Sequence, residues 1–184
     1  MKKQFKSVSS IALVTLAGCA LCLGPTAQAA NESKEPSKST ASPAPASALS
    51  AKDKSFMKEA AMGGMMEVDM GKMAQQKGKS ADVKKIGSTM VTDHTKANNE
   101  LMAIAKKKGV DLSKEKPKSH SMKDDNFDKD YINMMVKDHE KDLAAFQAEA
   151  KDGTDADVKA FASKTSGVIK KHLDMVKAAQ AKMK

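Results

Sequence analysis

From residue 52 onward, apolar residues recur at alternating steps of three and four, the spacing that lays side chains along one face of an α-helix. Four such stretches follow one another. The first predicts a helix over residues 52–77 with a seam of Phe56, Ala60, Gly63, Glu67, Met70 and Ala74. Ser50 stands before it as an N-cap with Asp53 three residues on, the spacing of a capping box, and Gly78 ends it. The second runs over 81–108, between the cap Ser80 and the stop Gly109, along Val83, Ile86, Met90, His94, Ala97, Leu101 and Ile104. The third covers 127–151 along Tyr131, Met135, His139, Asp142 and Phe146, and Gly153 breaks the chain after it. The fourth covers 155–183, capped by Thr154, along Val158, Phe161, Thr165, Val168, His172, Met175 and Ala179. A long polar connection, Val110 to Asn126, joins the second to the third.

Helices of roughly 25 residues, each about 38 Å long at ~1.5 Å per residue, predict a four-helix bundle. Its two hairpins resemble each other. Asp53-Lys54-Ser55-Phe56-Met57 matches Asp128-Lys129-Asp130-Tyr131-Ile132, and Ala81-Asp82-Val83-Lys84 matches Ala156-Asp157-Val158-Lys159, both at an offset of 75 residues. The long connection can span the bundle at up to ~3.3 Å per residue. Two connectivities therefore stand open: up-down-down-up with one long crossover, as in ferritin-like folds, and plain up-down-up-down. The expected class is all-α, a ferritin-like antiparallel four-helix bundle over residues 52–184.

Composition changes the picture mainly upstream. Lys2, Lys3 and Lys6 precede an apolar run over residues 8–24, and Ala27-Gln28-Ala29 is a small-x-small cleavage site, so residues 1–29 predict a secretory signal. Leu16-Ala17-Gly18-Cys19 offers an alternative, lipidation at Cys19 as in bacterial lipoproteins, although Ala20, Leu21, Cys22 and Leu23 stay apolar where such proteins turn polar. Either reading predicts export to the periplasm or an outer-membrane association. Residues 30–51, with Pro36, Pro43 and Pro45 among Ser, Ala, Lys and Glu, predict a disordered linker. The only cysteines are Cys19 and Cys22, so cleavage at Ala29 leaves no disulfide and no thiolate ligand. Losing the three leading lysines takes the formal charge from +9 to +6, carried entirely by lysine. With no arginine and 3% aromatic residues, the chain lacks the usual readers of bases, and no nucleic-acid partner is expected.

Candidate chemistry lies where polar residues interrupt the seams. Glu67, His94, His139 with Asp142, and His172 each fall on a core face near mid-helix. Buried carboxylates and imidazoles are costly unless paired, hydrogen-bonded or bound to metal. These five residues are the candidate ligands of a single transition-metal ion, Zn, Cu, Ni or Fe. Counted from the predicted helix ends, Glu67, His94 and His139 fall at similar heights and His172 a turn or two away. A bland alternative is a polar layer of acid–base pairs, Glu67–His94 and Asp142–His172, that sets packing register or serves a partner-binding bundle. Asp93 and Asp138, each just before a histidine, read as helix-surface charges. Fourteen methionines, crowded at Met62, Met65, Met66, Met70 and Met73, raise a third reading, Cu(I) bound by thioethers, against the plainer one of core filling. No nucleophile constellation or phosphate loop is present, and no catalytic residue is expected.

Several motifs together resemble an exported bacterial family known as domain of unknown function 4142, often labelled an outer membrane protein. They are Phe56 to Ala74 with Glu67-Val68 and Gly71-Lys72-Met73-Ala74; Met90-Val91-Thr92-Asp93-His94 with Ala97-Asn98 and Leu101; Phe127-Asp128, Tyr131-Ile132, Met135-Val136 and Asp138-His139; and Phe161-Ala162 with His172-Leu173. The chain departs from that pattern in its Lys-rich connection around His120 and in Thr165-Ser166-Gly167, where a Leu-Pro pair is common. The resemblance implies a ferritin-like bundle in the cell envelope, and by analogy a role in envelope or stress homeostasis. It does not supply an activity. The standard di-iron pattern of that fold class, Glu-x-x-His on two helices, is missing, since Val91 and Ile169 stand three residues before His94 and His172.

Overall fold

A computed structural model of the chain describes residues 49–117, 120, 122 and 124–183. The signal segment with Cys19, and the linker up to residue 48, lie outside the described residues. Four α-helices follow: α1 (Ala51–Lys77), α2 (Ala81–Lys107), α3 (Phe127–Asp152) and α4 (Ala156–Ala181). No strand occurs among the described residues, and no helix there is long and apolar enough to cross a membrane.

The boundaries come from local chemistry. Ser50 and Asp53 close the capping box at α1: the Asp53 N–H donates to Ser50 Oγ (3.0 Å) and the Ser50 N–H to Asp53 Oδ2 (3.2 Å). Ser80 accepts from the Val83 N–H at α2. Gly109, at φ 69°, provides the left-handed residue that ends α2, so that the Val110 N–H reaches Ala105 O. The α4 cap is Asp155, not Thr154: its carboxylate accepts from the Asp157 and Val158 N–H groups. Thr154 turns the other way and donates through both its N–H and its hydroxyl to Asp53.

Contacts between helix ends fix the connectivity. The α1–α2 turn sits on the start of α3, where the Lys79 and Ser80 N–H groups donate to Asp128 (2.8 Å each). The α3–α4 turn sits on the start of α1 through Thr154 and Asp53. Lys107 and Lys108 at the end of α2 pair with Asp157 at the start of α4, and Lys182 after α4 pairs with Asp82 at the start of α2. Hence α1 and α4 run one way and α2 and α3 the other, the up-down-down-up arrangement with one long crossover. Leu112 and Met122 pin that crossover to opposite halves of the core.

These contacts also express the 75-residue repeat. Lys79 N–H to Asp128 corresponds to Thr154 N–H to Asp53, and Lys107–Asp157 corresponds to Lys182–Asp82. Each hairpin's turn is held by the carboxylate that starts the other hairpin.

Within each hairpin the helices approach closely. At the α1–α2 crossing, a Cβ on Gly71 would lie 2.7 Å from Gly87 O, and one on Gly87 would lie 2.6 Å from Gly71 O. The core is two apolar clusters. One, at the α1 N-terminal end, centres on Met57, Leu101, Phe146 and Phe161; the other, at the far end, on Met90, Tyr131, Met135 and Val176. The α1 seam is shifted by one residue in its first half: Met57, Ala61 and Gly64 are buried, and Phe56, Ala60 and Gly63 are half-buried. Asp53, turned inward to hold Thr154, rotates that face toward Met57. Val168 and Met175 of α4 are also only half-buried, beside the deeper Ile169 and Val176.

A buried histidine triad at mid-bundle

Between the two apolar clusters lies a polar layer. His139 is fully buried, and Glu67, His172 and His94 are 1%, 2% and 6% exposed. Each helix contributes one of them. The connectivity levels them: Glu67 and His172 lie 16 residues after Ala51 and Ala156, and His94 and His139 lie 13 residues before Lys107 and Asp152. His172 is therefore in register with the others rather than a turn or two away. Counting heights from the sequence left helix directions open, and the crossover decides them.

The three imidazoles form a triangle with ring centroids 5.7 Å (His94–His139), 5.2 Å (His94–His172) and 5.5 Å (His139–His172) apart. Each is oriented by one nitrogen. His94 Nδ1 is 2.8 Å from Glu67 Oε2, His139 Nδ1 is 2.9 Å from Met135 O, and His172 Nε2 is 2.9 Å from Asp93 Oδ2. These partners can only accept, so each of those nitrogens carries the hydrogen. The other three, His94 Nε2, His139 Nε2 and His172 Nδ1, are buried and have no hydrogen-bond partner.

Electrostatics divides the layer. Burial pushes Glu67 upward, but the charge and hydrogen bond of His94 outweigh it and hold Glu67 below the usual carboxylate range. His94 is raised: burial opposes its charge, and Glu67 overcomes that. His139 and His172 are lowered, chiefly by burial, which keeps them neutral near pH 7. Two imidazoles thus offer lone pairs outright, and any proton on His94 Nε2 would have to leave for an ion to be held there.

The arrangement fits a metal ion. One ligand nitrogen from each of His94, His139 and His172 lies within 4.8 Å of the other two. Metal–imidazole bonds of about 2.0–2.1 Å need nitrogens roughly 3.4 Å apart, which the three rings would reach by closing in on the ion. A carboxylate or carbonyl holding the far nitrogen of each ring is the usual outer support of metal-ligating histidine. The other two sequence candidates sit elsewhere in this scheme. Glu67 orients His94, and its Oε1 approaches His139 Nδ1 at 3.2 Å without a hydrogen bond. Asp142, half-buried, is not one of the three. Burial and then the Glu67 charge push it up to about 7. Asp93, read from sequence as a surface charge, instead orients His172; the signal was its place one residue before His94 on a helix facing α4.

The methionines mostly pack the core. Met57, Met70, Met90 and Met135 are at most 2% exposed, and Met66, Met73 and Met134 lie against the same clusters.

Fold and site thus define an all-α bundle with a buried three-imidazole layer. The chain belongs to the family described as Domain of unknown function (DUF4142), which matches residues 38–179. Among solved structures it is similar to CopM in the Cu(I)-bound form, at 16% identity and a TM-score of 0.58, over 71% of this chain and 96% of that one. At that identity the likeness shows the fold. No curated protein matches the chain.

Proposed function

We propose that this protein is an exported bundle that binds one transition-metal ion through His94, His139 and His172. The observation that carries the proposal is the set of three buried imidazoles, each with one nitrogen held and the other unpartnered, with one ligand nitrogen from each within 4.8 Å of the other two. Packing alone gives no reason to bury three such nitrogens together, since each forgoes a hydrogen bond at a cost of about 1–3 kcal/mol. An all-imidazole set suits Zn, Cu, Ni and Fe alike, and among divalent ions the general affinity order places copper highest. The Cu(I)-bound state of CopM, a protein of the same fold, favours including copper in the test. Export rests on the N-terminal segment, with its lysines, apolar run and Ala27-Gln28-Ala29.

The test is metal content and thermal melting of the protein, purified without a histidine tag, before and after chelation. One equivalent of metal is expected, with a melting temperature that falls on chelation. His94→Ala and His139→Ala are expected to lose the metal and the chelator response together. An unchanged melt under every ion titrated would reject the proposal and leave Glu67–His94 and Asp93–His172 as a packing layer.

A further inference from the structure

His139, on the α3 side of the triad, has no exposure, and His94, on α2, keeps 6%. Between α2 and α4 lies a cavity of about 340 Å³ whose wall includes both His94 and His172. Ala97, Thr165, Val168 and Met175 complete its inner surface. Val168 and Met175 are the α4 seam positions that remain half-buried, so the cavity occupies the place where that seam fails to close against α2. A volume of this size lies within the usual range for small-ligand pockets.

Three features say what it takes. First, the imidazoles supply three neutral donors, because Glu67 is turned to His94 Nδ1 and Asp93 to His172 Nε2. Three protein ligands also leave a coordination position for an outside group, the arrangement of open rather than closed sites. Second, the rim carries Lys96, Lys164 and Lys171 against Asp93 and Glu100. Glu100 pairs with Lys164 at 2.6 Å and Asp93 holds the neutral His172 at 2.9 Å, so three lysines against two acids leave the mouth with one net positive charge. Third, Thr165, a buried polar residue, lines the cavity among Ala97, Val168, Ile169 and Met175. We infer that the α2–α4 cavity is a binding site for a small anion that completes the coordination of the ion held by His94, His139 and His172. This rests on the metal-binding reading above.

The test loads the protein with Co²⁺, whose visible spectrum reports its ligands, and titrates it with azide. A saturable spectral change is expected. Val168→Trp fills the cavity from α4 while replacing no ligand and no residue that orients one, and is expected to weaken azide at least tenfold while keeping one equivalent of Co²⁺. Should that variant fold poorly, Lys171→Glu on the exposed rim serves instead: azide binding should weaken severalfold at low salt and recover toward wild type at high salt. Bound Co²⁺ with no response to azide, or azide binding unchanged in either well-folded variant, would overturn the inference and leave the metal site standing. Absence of bound Co²⁺, Zn²⁺ and copper alike would overturn both.

Discussion

Asp93 shows how much one residue's reading depends on its neighbour across the bundle. On α2 alone it is a half-exposed acid; against α4 it is the acceptor that fixes which nitrogen of His172 faces the triad. Removing such an outer partner typically costs 10–100-fold in metal affinity. Asp93→Ala should therefore weaken metal by about that factor with its stoichiometry kept, as read by competition with a chelator of known affinity. A second residue-level consequence lies far from the triad. Glu149, 2% exposed beside Asp53, is pushed up to about 7 by burial and then by the hydrogen bond and charge of Asp53. Asp53 moves the other way: burial would raise it, but hydrogen bonds from Thr154 and Ser50 hold it low. Glu149 keeps its proton in the folded state up to about pH 7, whereas an unfolded glutamate releases it near 4.5. Its contribution to stability is present below about 4.5 and is lost as pH rises to about 7. Melting of Glu149→Gln at pH 5 and pH 8 should show a smaller loss on going to pH 8 than the wild type does.

At the scale of elements, the helices were legible because each carries its own start and stop. Ser50 with Asp53, Ser80, Gly78 and Gly109 act locally, and the observed ends fall within a residue or two of those expected. The cap of α4 was misplaced because Thr154 and Asp155 are both good caps; only the contact of Thr154 with Asp53, 101 residues away, separates them. The α1 seam slipped for a similar reason, since Asp53 faces inward to a distant turn. Close approach of α1 and α2 at Gly71 and Gly87 was not visible in the spacing at all. Gly87→Ala should destabilise by about 1–3 kcal/mol, because its methyl meets backbone that cannot move aside. Gly109→Ala, strained only by its positive φ, should cost about 1 kcal/mol. Urea denaturation of the two variants checks both figures.

For the whole molecule, the bundle was evident from periodicity and the crossover was only one of two options. Its length permitted either, and the choice rests on contacts between helix ends that no spacing encodes. That choice is also what levels His172 with His94 and His139, so the site was legible as residues and not as a constellation. The three ring-bearing helices are α2, α3 and α4, and Glu67 ties α1 to His94. An ion in the triad thus engages all four helices, directly or through one hydrogen bond. Ion present at about a thousand times its dissociation constant should stabilise the native state by ~4 kcal/mol. The unfolding transition should shift as one cooperative step, measured by circular dichroism with and without ion.

The repeat is kept at the ends and, in the middle, broken at the histidines while Glu67 and Asp142 still correspond as acids. Lys79 and Thr154, Asp53 and Asp128, Lys107 and Lys182 occupy equivalent places and make equivalent bonds. At mid-height the equivalents of His94, His139 and His172 are Ile169, Gly64 and Ala97. The histidine layer thus differs between the two halves while the ends that assemble them do not. An engineer inherits the same freedom: the mid-layer can be rewritten for a different guest while the instructions for assembling the bundle stay in duplicate at either end.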